Sequence, residues 1–270
     1  MEAPPRVPAR RRRWLWLLPL LLALLAALPF ALDTPPGRAL LVRQIPGIAL
    51  ESGLYFRVER IEGSLWNQAT LIGITAHDRR GQFASIDRLE LDWRPLKLLS
   101  NRFEARMVKA GTANITRWPD LLPSNDPRLL PKQDIAIAAL SIGRLELAEG
   151  LAGKARALTA NGRLDIATGR AQIAMLARML DGSGGDTLDV LLDARPDDNQ
   201  FKLAAKLQAP AGGLVATLAG LDAPLSISAT GDGSWQRWDG RFAATMGNAA
   251  TAIADLALVA RDGFTWPEEI

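Results

Sequence analysis

Phe201-Lys202-Leu203-Ala204-Ala205-Lys206-Leu207-Gln208 sets an apolar residue at every second position, with lysine or a small or polar residue between. Successive strand side chains point to opposite faces, so Phe201, Leu203, Ala205 and Leu207 share one face of a half-buried strand, and Lys202 and Lys206 lie on the other. The same alternation occurs at Leu89, Leu91 and Trp93 against Glu90 and Asp92, and at Leu145 and Leu147 against Arg144 and Glu146. Further strands are expected over 55–62, 69–77, 103–110, 135–142, 164–166, 171–177, 187–193, 214–218, 225–229, 241–246 and 253–260.

Turn residues punctuate these runs at Asp78-Arg79-Arg80-Gly81, Asn161-Gly162, 181–186, Pro196 to Asn199 and Gly231-Asp232-Gly233. Punctuation every 8 to 12 residues, without long helical patterns between, predicts a mainly β, antiparallel body with meander topology. Gly143-Arg144-Leu145, Gly162-Arg163-Leu164, Gly169-Arg170-Ala171 and Gly240-Arg241-Phe242 recur at irregular spacing, each read as a strand start. Thr34-Pro35-Pro36-Gly37 predicts a cap and first turn for a short helix over Arg38 to Gln44, stopped by Pro46-Gly47. Residues 118–133 carry Pro119, Pro123, Pro127 and Pro131 and read as a loop between a first β unit, 33–117, and a second, 134–270. Alternation leaves open whether the apolar faces close on one another or line a cleft.

Upstream lies a different pattern. Trp14 to Leu32, WLWLLPLLLALLAALPFAL, carries no charge and as a helix would span about 28 Å, the thickness of a bilayer core. Arg10, Arg11, Arg12 and Arg13 precede it, so residues 1–13 are expected in the cytoplasm and everything after Asp33 across the membrane. A cleaved signal peptide fits less well, because Pro29 and Leu25 occupy positions where a cleavage site needs small residues.

The net charge of +3 and pI near 9.6 belong to this terminus, whose first thirteen residues hold five arginines and one glutamate. The remainder sums to −1, which argues against a nucleic-acid partner. With no cysteine, thiolate catalysis and disulfides are excluded. The single histidine, His77, stands beside Asp78 at a turn with no nucleophile in view, so it reads as a solvated turn residue. The run Asp181-Gly182-Ser183-Gly184-Gly185-Asp186 lacks the Lys-Ser/Thr ending of a phosphate loop and the acid spacing of a calcium loop. Adjacent Asp197 and Asp198 do not make a catalytic pair, and Asn114-Ile115-Thr116 is a chance-frequency sequon. Trp66, Trp93, Trp118, Trp235, Trp238 and Trp266 are dispersed near strand ends, as sheet-covering tryptophans are. The expectation is a non-enzymatic protein without cofactor or metal.

Val58-Glu59-Arg60-Ile61-Glu62-Gly63-Ser64-Leu65-Trp66, Leu71-Ile72-Gly73-Ile74, Ile86 to Pro95, Gly184 to Asp189, Pro210 to Leu214 and Gly231 to Gly240 follow the anchor in an order that resembles the N-terminal region of the TamB family, with a more distant likeness to AsmA-like proteins. The resemblance implies a single-pass inner-membrane protein with a periplasmic, β-taco-like groove. In that family the groove carries phospholipid acyl chains toward the outer membrane and works with an outer-membrane barrel, TamA, in assembling outer-membrane proteins. Leu89, Leu91, Trp93, Phe201, Leu203, Ala205 and Leu207 are the expected groove face. Family members are several times longer, so the resemblance also implies either an N-terminal fragment or a truncated reading frame. The other reading of the same residues is an anchored, closed β-sandwich scaffold that binds protein and not lipid.

Overall fold

A computed structural model of the chain describes residues 30–47, 52–122, 133–167, 170–180, 185–195, 198–234, 237–248 and 250–259. The basic tail and nearly all of the 14–32 span lie outside the described residues, and no helix among those described is long and apolar enough to cross a membrane.

Helix α1, Pro35–Gln44, begins where expected: Thr34 Oγ1 accepts from Gly37 N at 3.4 Å, and Pro35 fills a first-turn position where no N–H is needed. Pro46 ends it in a 3₁₀ turn, Ile45–Gly47. Then come β1 Tyr55–Arg57, β2 Arg60–Gly63, β3 Gln68–Asp78, β4 Gly81–Trp93, β5 Arg102–Ile115 and β6 Asp134–Leu147. A four-residue helix α2, Glu149–Ala152, precedes β7 Arg156–Ala167, β8 Arg170–Met179, β9 Thr187–Arg195 and β10 Gln200–Ala209. Helix α3, Leu214–Leu218, precedes β11 Leu225–Gly233, β12 Arg237–Met246 and β13 Ala250–Val259.

All thirteen strands form one open sheet in sequence order, with β1 and β2 sharing one edge of β3 and β13 forming the other edge. The ladder does not break at the proline-rich segment. There, however, the meander expectation fails, because β5 and β6 pair in parallel, Arg102 opposite Asp134 through Ile115 opposite Leu147. A parallel pair needs a crossover, and residues 116–133 supply it, returning the chain from the end of β5 to its start. The crossover's first part is pinned by Thr116 N to Phe83 O, 2.9 Å, and Leu122 N to Ser52 O, 2.9 Å.

From β7 to β13 the alternation is strict, as the lysine-punctuated strand β10 suggested. Between β3 and β6 it is not. In both β5 and β6 the apolar positions advance by two, three, two, three and two: Phe103, Ala105, Val108, Ala110, Ala113, Ile115, and opposite them Ile135, Ile137, Leu140, Ile142, Leu145, Leu147. The three-residue steps are bulges that put two consecutive residues on the polar side, and against β7 they appear as register shifts after Ile137 and after Ile142. One bulge line runs through Gly73, Asp87 and Arg88, Gly111 and Gly143. There Thr112 N donates to Asp87 Oδ1 at 2.7 Å, and a Cβ on Gly111 would sit 2.8 Å from that oxygen.

Three local expectations are corrected. Leu214 to Leu218 is helix α3, not a strand, because the buried Asp186 carboxylate accepts from Leu214 N and Val215 N and nucleates a turn. Asn161-Gly162 is no turn but lies inside β7, with Gly162 opposite Leu140 and Met175. Gly231 and Gly233 are likewise inside β11, where Trp238 uses the space. Gly143, Gly162 and Gly240 also lie in strand interiors, the first two against neighbouring backbone and Gly240 under the Trp238 indole, and of the four recurrences only Arg170 begins a strand.

The Trp238 indole, 4% exposed, lies over Gly231 and Gly240 and meets Phe201 edge-on at 5.8 Å between ring centroids. A Cβ on Gly231 would overlap Trp238 Cζ2. Gly231→Ala is therefore expected to cost about 1–3 kcal/mol in denaturant unfolding. Gly150→Ala, in α2 with open space around it, should be neutral or slightly stabilising.

Candidate functional site

The register places every expected groove residue on one side of the sheet. Leu89 and Leu207 belong to a cross-strand row that runs Leu71, Leu89, Ala110, Ile142, Ala160, Ala177, Leu188, Leu207, Ile227, Ala244. Leu91 and Ala205 share the next row through Val108, Leu140, Gly162, Met175 and Val190. Trp93 and Leu203 share a third through Ala105, Ile137, Leu164, Ile173 and Leu192. Phe201 stands in a fourth that begins at Phe103, on which Trp93 packs at 5.9 Å between centroids. Strands β4 and β10 are six places apart in the sheet, yet their apolar residues fall in common rows. The bulges in β3 to β6 keep them aligned.

No charged side chain interrupts these four rows. Closest to the sheet backbone the face is floored by buried alanines: Ala69, Ala76, Ala105, Ala110, Ala113, Ala160, Ala171 and Ala194. The larger side chains that stand above them, Leu89, Leu91, Trp93, Leu203 and Leu207, are only partly buried, and Leu188 is 38% exposed. Among the described residues the apolar clusters join neighbours within the sheet, as Ala171, Ala194, Phe201 and Trp238 do with Leu192, Leu203 and Leu256. A second cluster, Leu147 and Leu151 with Ile115, Leu145, Leu158 and Leu214, closes one end of the face beneath α2 and α3. The described strands build no second sheet against the apolar rows.

The opposite face is ionic. Arg106 meets Asp92 at 2.6 Å, Arg144 meets Glu146 at 2.7 Å, Arg195 meets Asp193 at 2.9 Å and Arg241 meets Asp255 at 2.9 Å. Exposed pairs of this kind contribute little stability each; they keep that face wetted and give the sheet its sidedness.

One ion pair is different. Asp78, 2% exposed, receives both Arg117 guanidinium nitrogens at 2.6 Å and the backbone N–H groups of Arg80 and Asp120 at 2.7 Å. The Arg117 hydrogen bonds, with those backbone donors, hold its carboxyl well below the usual carboxylate range. This pair ties the β3–β4 turn to the start of the crossover. The sequence displayed Asp78 only as a turn residue beside His77, and a partner 39 residues away leaves no local signal. His77 itself is next to last in β3 and is no simple solvated turn residue, since it stacks on Tyr55 at 4.9 Å and its Nε2 lies 2.9 Å from Thr75 Oγ1. Partial burial, with Arg57 nearby, lowers its pKa. Arg10 to Arg13 lie outside the described residues.

Comparison with protein-family models, with curated proteins and with solved structures found no match to this chain.

Proposed function

We propose that this chain is a lipid-handling protein of the TamB type: held in the inner membrane by residues 14–32, with its sheet in the periplasm and its apolar face folded into a groove for phospholipid acyl chains. The observation that carries the reading is the set of uninterrupted apolar rows on a single open sheet, whose larger side chains stay only partly buried above the buried alanines. A closed sandwich would bury such rows against a second sheet. Here the natural cover is a mobile apolar ligand, and each methylene removed from water contributes about 0.8 kcal/mol. The aliphatic lining suits flexible chains better than flat rings, and no titrating constellation is required for carriage. The wider role, phospholipid transfer and outer-membrane protein assembly with a TamA barrel, rests on the resemblance described above and on the anchor's charge pattern.

Adjacent positions on β10 provide the test. A photoreactive amino acid at Leu207 of the full chain in cells should capture phospholipid, whereas the same group at Lys206, on the ionic face, should not. Equal lipid capture at both positions, or protein adducts alone from Leu207, would sink the conduit reading and favour a scaffold.

A further inference from the structure

Helix α1 contains Leu40, Leu41 and Val42, yet buries none of its residues, and Leu40 is 53% exposed. Such a helix is not held by a core. It lies along β2 and leaves a cleft of about 470 Å³, lined by Arg38, Arg43, Glu59, Arg60 and the apolar Val42 and Ile61. The residues that line this cleft carry three arginines against one glutamate. Arg60 is occupied by Glu59 at 3.3 Å and Glu62 at 2.8 Å. Arg38 donates to the neutral carbonyl of Gly63. Arg43, exposed in the last turn, has no carboxylate partner among the described residues. Asp33 accepts from Ser64 Oγ at 2.7 Å and Leu65 N at 2.8 Å and its charge also attracts Arg38, which leaves Arg43 as the cleft's arginine without a carboxylate among the described residues.

The cleft also has a direction. Ile61 pairs with Leu71, which begins the row through Leu89 to Ala244, so a cationic rim adjoins the apolar face at its first edge. Helix α1 starts three residues after the 14–32 span, at the level where a chain leaving a bilayer meets headgroups. A ligand matching both parts has a phosphate on an aliphatic body. We infer that the α1–β2 cleft binds the phosphate of an anionic phospholipid, with Arg43 and Arg38 facing the headgroup and the acyl chains lying toward Ile61 and Leu71. This inference rests on the conduit reading and adds headgroup selection to it.

The full chain, solubilised in detergent and equilibrated with equimolar phosphatidylglycerol and phosphatidylcholine, can be read by native mass spectrometry. Wild type should retain phosphatidylglycerol over phosphatidylcholine by about fivefold, on the scale of one favourable charge at a membrane surface. Arg43→Gln should bring the ratio near one without lowering total lipid, and Arg43→Lys should restore it. A wild-type ratio near one with lipid still bound, or an unchanged ratio in Arg43→Gln, overturns the headgroup site and leaves the conduit standing. Displacement of phosphatidylglycerol by millimolar inorganic phosphate would overturn the lipid assignment in favour of a free-phosphate site. If wild type holds neither lipid, the conduit reading falls, and this site falls with it.

Discussion

Leu203→Arg should empty the groove without unfolding the sheet. Leu203 sits in the third row between Leu192 and Gly231, packed beside the Phe201–Trp238 pair, and is only partly buried. If acyl chains pass along this row, a guanidinium placed there costs about 2–4 kcal/mol, by analogy with charges on the lipid side of membrane barrels. That corresponds to more than about a tenfold loss of bound lipid. Because the site opens to one side, the arginine can extend outward, and the melting temperature should fall only slightly. The control is Lys202→Gln, because Lys202 lies opposite Asp193 and Asp232, and a glutamate there would place a third carboxylate in the row. Bound phospholipid and thermal melting, measured on both full-length variants, decide the matter. If Leu203→Arg carries lipid like wild type, β10 does not line the path; if it unfolds outright, its apolar face is a closed core.

The largest stability effect is expected at Asp78. Its carboxylate collects two guanidinium and two backbone donors, so Asp78→Ala would strand a guanidinium and two N–H groups and release the crossover from the β3–β4 turn. Removing one partner of a buried pair is strongly destabilising, and the melting temperature should drop by roughly 10 °C. Asp78→Ala combined with Arg117→Met should lose less than the two single changes added together. The pH dependence has a definite sign. The folded-state pKa is depressed, so this stabilisation is fully present above the unfolded value near 4 and is lost as pH falls toward the folded value. Acid melting should therefore steepen below about pH 4 in wild type and flatten in Asp78→Ala. Equal acid sensitivity in both would mean that the pair does not govern the acid limb.

Strands β8 to β13 were legible because their alternation is regular, whereas β7 was read only over 164–166 because Asn161-Gly162 has the composition of a turn. Strands β3 to β6 were only partly legible. A period-two reading stops at each bulge, so β4 was visible from Leu89 onward and β6 came out as two strands joined at Gly143. The glycines misled for a physical reason: Gly162 and Gly231 look like turns, but they are places inside strands where a close neighbour needs the room of a missing Cβ, the backbone of β8 at Gly162 and the Trp238 indole at Gly231. Helix α3 was hidden because the group that nucleates it, Asp186, is supplied from 28 residues upstream. The ionic tether at Asp78 and the cleft beside α1 depend on partners brought together by the sheet, which no window of sequence contains.

The parallel β5–β6 pair also determines how the molecule answers to tension. A chain fixed in one membrane and engaged at its far end would be pulled along its length. Antiparallel neighbours joined by short turns then present both loaded ends on the same side and peel apart one hydrogen bond after another, at low force. Strands β5 and β6 present their loaded ends on opposite sides, so every bond from Arg102–Asp134 to Ile115–Leu147 bears the load together. This pair is the mechanical clamp of the sheet, and the hairpins on either side of it act as extensible springs.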